Sequence, residues 1–197
     1  MSGITPSQTV GPYFKYGLTP GSDYQWNDAF GNDLVTPEVS GERIRIVGRI
    51  FDGDGKEVPD SMLEIWQADS QGRYAHPRDP QDARSIPNAA FRGFGRCGTD
   101  NNGVYSFHTI KPGPVAGPHE LQAPHILLAV FARGMTQQAQ TRIYFEHEPA
   151  NATDPILALV PEERRATLIA IREPGDVATY RFDVHLQGDL ETVFFDL

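Results

Sequence analysis

Three side chains in this sequence are of types that hold metals or anions: Tyr74 in Gly72-Arg73-Tyr74, His125 in Pro124-His125-Ile126-Leu127, and Arg133 in Phe131-Ala132-Arg133-Gly134. A deprotonated phenol is a hard, strongly donating anion that suits a trivalent cation, and a neutral imidazole can complete such a site. Each residue also has an ordinary structural reading. A tyrosine after a glycine turn often packs its ring and exposes its hydroxyl, and a histidine opening an apolar strand more often caps a hydrogen bond. One tyrosine and one histidine supply only two donors, and ligand count sets metal affinity. On their own, the pair reads as structural. Arg133 carries a planar, permanently charged fork that can bind a carboxylate through two hydrogen bonds. In isolation it reads as a solvated strand-end arginine.

Other chemistries are disfavoured. Cys97 in Gly95-Arg96-Cys97-Gly98 has no accompanying Cys-His signature and reads as a small buried strand residue. His76, His108, His119, His147 and His185 show no zinc spacing, and His119-Glu120 does not begin an H-E-x-x-H pair. No G-x-S-x-G elbow or phosphate-cradling Gly-Lys loop is present. Asp52-Gly53-Asp54-Gly55-Lys56-Glu57 puts lysine at a calcium-ligand position and lacks glycine at the sixth, so it reads as a turn.

The elements that must position these residues are strands. Ile44, Ile46 and Ile50 alternate with Arg43, Arg45 and Arg49, the period-2 pattern of a half-buried strand. A second strand spans Met62 to Ala68. Further strands are predicted over 93–99, 104–110, 126–133, 141–146 and 179–187. Asp100-Asn101-Asn102-Gly103 predicts a hairpin joining the strands at 93–99 and 104–110. Pro161-Glu162-Glu163 opens one short helix near 161–170. Many short, mainly antiparallel strands with Gly/Pro turns predict an all-β fold, a β-sandwich. Residues 1–40, rich in Gly and Pro, read as an extended N-terminal arm belonging to the same domain and to a subunit interface; residues 41–197 form the sandwich.

Length and charge agree with one domain. At 197 residues the chain can bury roughly 70% of its unfolded surface. The net charge of −9, with scattered basic residues, argues against a nucleic-acid partner. The longest apolar run, Ile126 to Ala132, is too short to span a membrane. The first residues lack the basic and apolar regions of a signal peptide, and a lone Cys97 suits a reducing compartment, so a cytoplasmic setting is expected.

Gly72-Arg73-Tyr74, Lys111-Pro112-Gly113-Pro114-Val115 and Pro124-His125-Ile126-Leu127 follow the order of the G-x-Y, P-G-P-Y and H-I-H segments of the intradiol ring-cleaving dioxygenases. The chain resembles that family from about Thr5 to Leu197. The likeness is densest over Leu63 to Asp69, Thr109 to Pro114 and Tyr144-Phe145-Glu146. The family holds Fe3+ with two tyrosines and two histidines. Here Tyr74 and His125 stand at ligand positions, but Val115 and Leu127 occupy the other two and cannot donate. The family also has Arg where this chain has Gln122, and Gln where it has Arg142.

The resemblance therefore implies an iron-free subunit of a two-subunit enzyme, with no catalytic residue and no metal of its own. A homologous iron-bearing beta subunit would hold the Fe3+. A higher-order alpha–beta oligomer would cleave a small aromatic acid, 3,4-dihydroxybenzoate, with O2. Arg133, Thr9, Gly11 and Pro12 are implied to face substrate in a pocket shared with that partner. Two alternatives stay open: a non-catalytic binding or scaffold module, and a self-sufficient ring-cleaving enzyme with unusual ligands.

Overall fold

The computed structural model describes residues 18–19, 30–76, 90–118 and 120–196. It contains β1 (Arg43–Phe51), β2 (Met62–Gln67), β3 (Phe94–Gly98), β4 (Val104–Ile110), β5 (Val115–Ala116), β6 (Leu121–Gln122), β7 (His125–Phe131), β8 (Ala139–Phe145), β9 (Ile169–Arg172), β10 (Ala178–Arg181) and β11 (Val184–His185). The expected all-β sandwich is observed. Among the described residues, no helix is long and apolar enough to cross a membrane.

One layer is built around β1, which pairs antiparallel with β4 and parallel with β10 and β11. In the other layer β3, β2, β7 and β8 lie side by side. β9 joins them. Its first half, Ile169 and Ala170, pairs with Tyr144 and Phe145 of β8, and its second half, Ile171 and Arg172, pairs with Arg181 and Tyr180 of β10. The core lies between the layers. Ile44, Ile46 and Phe107 from one face Leu63, Ile65, Ile126, Leu128 and Ile143 from the other, all at 3% exposure or less. At roughly 25 cal/mol per Å2 of apolar surface removed from water, this contact is the main source of stability. A buried polar tie also crosses it: Thr109 donates to Gln67 Oε1 at 2.7 Å, and Gln67 Nε2 donates to the Ile110 carbonyl at 2.9 Å.

Three expectations need correction. The Asp100–Gly103 turn closes no hairpin, because β3 pairs with β2 and β4 with β1, so the turn carries the chain between layers. Its local chemistry is as expected: Asp100 Oδ1 accepts from the amides of Asn102 at 2.8 Å and Val104 at 2.9 Å. A turn sets the reversal of direction but not which ladder each arm joins. The helix near 161–170 is a 3-10 helix over Glu162–Leu168, and Ile169 already belongs to β9. The strand predicted over 179–187 is split at Asp183, whose carboxylate accepts the Arg49 amide at 3.0 Å in place of a ladder bond.

Of the stretch read as an arm, residues 18–19 and 30–40 are described. Val39 packs with Phe91 and Ile110, and Leu34 and Val35 lie against them. Leu34 donates to the His108 carbonyl at 2.8 Å, and His108 donates back to the Asn32 carbonyl at 2.8 Å.

Candidate functional site

The glycines of the G-x-Y and P-G-P segments interlock. Gly72 has φ +78°, and a Cβ there would lie 1.8 Å from the Pro114 carbonyl oxygen. A Cβ on Gly113 would lie 2.6 Å from the Ser70 oxygen and 2.7 Å from the Gly72 nitrogen. Only glycine permits backbones this close. Asp69, 4% exposed, holds the turn: its Oδ1 accepts from Gln71 at 2.8 Å and Arg73 at 3.1 Å, and its carbonyl accepts from Gly113 at 2.9 Å. Tyr74 and Val115 are thus carried on one clamped unit. The Tyr74 ring stacks on Trp66 with centroids 5.8 Å apart and planes 8° from parallel.

Strand register supplies the rest. Trp66, Leu127 and Arg142 are consecutive cross-strand neighbours on β2, β7 and β8. Cross-strand neighbours share a face, so this row lies on the face turned away from the core. His125, two residues before Leu127, sits opposite Tyr144, and Val115 sits opposite Gln122 on the small β5–β6 ladder. Arg142 Nη1 donates to Gln122 Oε1 at 2.7 Å and lies 3.5 Å from the Tyr144 hydroxyl. All four expected ligand positions and both exchanged polar residues therefore meet in one patch. The Arg and Gln departures are one reciprocal exchange: the two side chains touch, and each stands where the family pattern has the other.

Electrostatics follow from burial and Arg142. His125 is 3% exposed, and its Nδ1–H donates to the Ala123 carbonyl at 2.7 Å. Desolvation, and next the Arg142 guanidinium, push its pKa down to about 4, so the ring is neutral near pH 7. The Tyr144 phenol is fully buried and donates to Asp154 Oδ1 at 3.0 Å. Burial raises its pKa, although Arg142 opposes the shift. Asp154, 1% exposed, also accepts from the amides of Ala123 at 2.8 Å and Leu157 at 2.7 Å, which anchors the segment before His125. These groups do not fit a ferric ion. Two of the four ligand positions, Val115 and Leu127, are aliphatic and offer no donor.

Arg133 lies elsewhere. It follows the end of β7, six residues beyond Leu127 and eight beyond His125, an α-carbon separation of at most roughly 20–26 Å at about 3.3 Å per residue. Its guanidinium is paired with Asp60. Arg133 is therefore not among the residues that gather around Arg142 and Gln122. Thr9, Gly11 and Pro12 fall outside the described residues. Asp60 and Asp154 were missed from sequence. The signal for Asp60 would have been the β2–β7 register, which extrapolates to place it opposite Arg133.

Comparisons with known proteins follow the same lines. A family model described as dioxygenase matches residues 11–188. The chain is 47% identical over 199 residues to the protocatechuate 3,4-dioxygenase alpha chain of Burkholderia cepacia, covering 98% of this chain and 97% of the relative. It is 38% identical over 170 residues to the beta chain from the same organism, covering 82% and 72%. Among solved structures, the dioxygenase domain of a dioxygenase–carbohydrate-binding fusion protein from Streptomyces sp. SirexAA-E superposes with a TM-score of 0.60 at 26% identity, covering 93% of this chain and 98% of that one.

Proposed function

The chain belongs to the intradiol ring-cleaving dioxygenase family, and from that premise we propose that it is the iron-free alpha subunit of a protocatechuate 3,4-dioxygenase. Alpha and beta chains of that enzyme are both relatives, which supports an alpha–beta partnership. The assembled enzyme cleaves 3,4-dihydroxybenzoate with O2 between its hydroxyl-bearing carbons, giving 3-carboxy-cis,cis-muconate. The iron, its ligands and the ring-opening chemistry reside in the beta chain. This chain contributes pocket wall, a contact for the substrate carboxylate through Arg133, and assembly surface. Thr9, Gly11 and Pro12 of the 1–40 arm belong to the same shared pocket. The lone Cys97 fits a cytoplasmic setting.

One observation carries the reading. Val115 and Leu127 leave two donors missing, and the Arg142–Gln122 hydrogen bond links their immediate cross-strand neighbours. The position of Arg133 supports the second part. Arg133, beyond the end of β7 and with its guanidinium held by Asp60, is placed to serve a site completed by another chain.

The test is to purify this chain alone and together with the beta chain, count iron per chain, and assay 3,4-dihydroxybenzoate beside catechol. The expected result is no stoichiometric iron and no tyrosinate-to-iron absorption in the chain alone, one iron per alpha–beta pair, and activity only in the pair. Near one iron in the isolated chain would establish a self-sufficient enzyme instead. A pair no more active than the beta chain alone would reduce this chain to a scaffold.

A further inference from the structure

Arg133 is held by a partner that leaves one edge of its guanidinium open. Its Nε lies 2.8 Å from both Asp60 oxygens, and its Nη2 lies 2.7 Å from Oδ2. The carboxylate therefore occupies the side-on Nε/Nη2 edge. Nη1 and the outer hydrogen of Nη2 form a second edge, whose spacing also matches a carboxylate. Exposure divides the pair in the same sense: the Asp60 side chain is 16% exposed and that of Arg133 is 62% exposed. The acid is the embedded member, and the base reaches outward from it.

The platform under Asp60 is rigid. Thr99 Oγ1 donates to the Val58 carbonyl at 3.0 Å and accepts the Ser61 amide at 3.0 Å, while the Thr99 amide donates to the Ser61 carbonyl at 2.9 Å. Pro59 restricts φ between these anchors. Met62 pairs with Phe131 in the antiparallel β2–β7 ladder, so Asp60 and Arg133, each two residues beyond, fall opposite one another on the same face. The fold itself aligns the pair.

We propose that Asp60 is the positioning residue for Arg133: it grips the inner edge of the guanidinium so that the outer Nη1/Nη2 edge meets the carboxylate of an aromatic acid. This rests on the reading of Arg133 as the carboxylate contact. Asp60 also cancels much of the arginine's charge, so recognition depends on a fixed hydrogen-bonding fork more than on long-range attraction. The two effects predict opposite outcomes when the acid is removed. If positioning dominates, the loss of Asp60 weakens use of the acid. If charge masking dominates, the unmasked arginine draws anions more strongly.

The experiment uses the alpha–beta holoenzyme with Asp60→Asn, Asp60→Glu, Arg133→Ala and the Asp60→Asn/Arg133→Ala double variant, assayed on 3,4-dihydroxybenzoate and on catechol. Asp60→Asn should lower kcat/KM for the acid by roughly 2- to 12-fold, the range of one lost hydrogen bond, mainly through KM. Catechol should change less than twofold, Asp60→Glu should partly restore the acid, and the double variant should match Arg133→Ala because the residues act as a unit. Unchanged or improved use of the acid by Asp60→Asn, or an equal loss on both substrates, would overturn the positioning role even if Arg133→Ala remained selective. If Arg133→Ala itself affected both substrates equally, the carboxylate reading would fall, and the role of Asp60 with it.

Discussion

At the residue scale, Arg142 and Gln122 test whether the exchange beside the two lost ligands matters. Val115→Tyr with Leu127→His supplies the two missing donors but leaves the guanidinium on residue 142, where it donates to Gln122 and lies 3.5 Å from the Tyr144 hydroxyl. The family pattern has the guanidinium at position 122 and the amide at 142. The double variant should therefore retain less ferric iron than the quadruple variant that also carries Arg142→Gln and Gln122→Arg, measured by metal analysis and by tyrosinate-to-iron absorption. Equal iron in the two variants would show that the exchange is a bystander. His125 makes a separate prediction. Its folded pKa of about 4 lies below the unfolded value of about 6.5, so the unfolded chain binds the extra proton first as pH falls. Its contribution is complete above about pH 6.5 and is lost toward pH 4, amounting to about 3 kcal/mol. Denaturant midpoints for the wild type and His125→Gln should converge across that window. Arg133→Ala should reduce kcat/KM on 3,4-dihydroxybenzoate by about 10- to 150-fold, the value of a charge-assisted hydrogen bond, with catechol nearly unaffected.

At the scale of elements, the interlocked turn at Gly72 and Gly113 holds Tyr74 and Val115 in place. It has a built-in control. Gly55 has φ +75°, close to the +78° of Gly72, but nothing lies within 4 Å of where its Cβ would be. Gly55→Ala should cost only the left-handed backbone penalty, about 1–2 kcal/mol. Gly72→Ala adds a collision with the Pro114 carbonyl and should cost roughly 3 kcal/mol or more. Equal destabilisation of the two, measured by thermal or denaturant melts, would mean that the loops part easily and do not clamp. The Lys111 ammonium, 2.9 Å from Glu148 Oε2 and over the Phe145 ring at 5.5 Å, ties the second loop to the end of β8.

For the whole molecule, the position of Arg133 beyond the end of β7 is informative. If Arg133 serves a partner's site, that partner must dock at the end of the sandwich where β7 finishes and the turn before β2 begins. Adding the beta chain should slow amide hydrogen exchange at residues 58–61 and 131–135, and the complex should bury more than ~2,000 Å2, as obligate interfaces do. Unchanged exchange in both segments would place the interface elsewhere and remove Arg133 from the shared pocket.

Donor chemistry is a property of side-chain type, so the sequence alone marks Tyr74 and His125 as able to donate to a metal and Val115 and Leu127 as unable to; that these four stand at ligand positions is what the family resemblance implies. Period-2 alternation is local, and it located β1 and β2, while turn signals and apolar runs placed β3, β4, β7 and β8 to within a few residues. The two-residue strands β5 and β6 are too short to carry a period, and β9 was absorbed into a helix prediction because four residues cannot distinguish the two. Local turn chemistry at Asp100–Gly103 could not say that its arms join different layers. The tertiary structure alone decided the long-range pairings. Gln122 and Arg142 are 20 residues apart, and Asp60 and Arg133 are 73 apart. Each pair meets only because strand register sets which side chains share a face and a row, and register arises from the packing of the whole sheet, not from any segment of it.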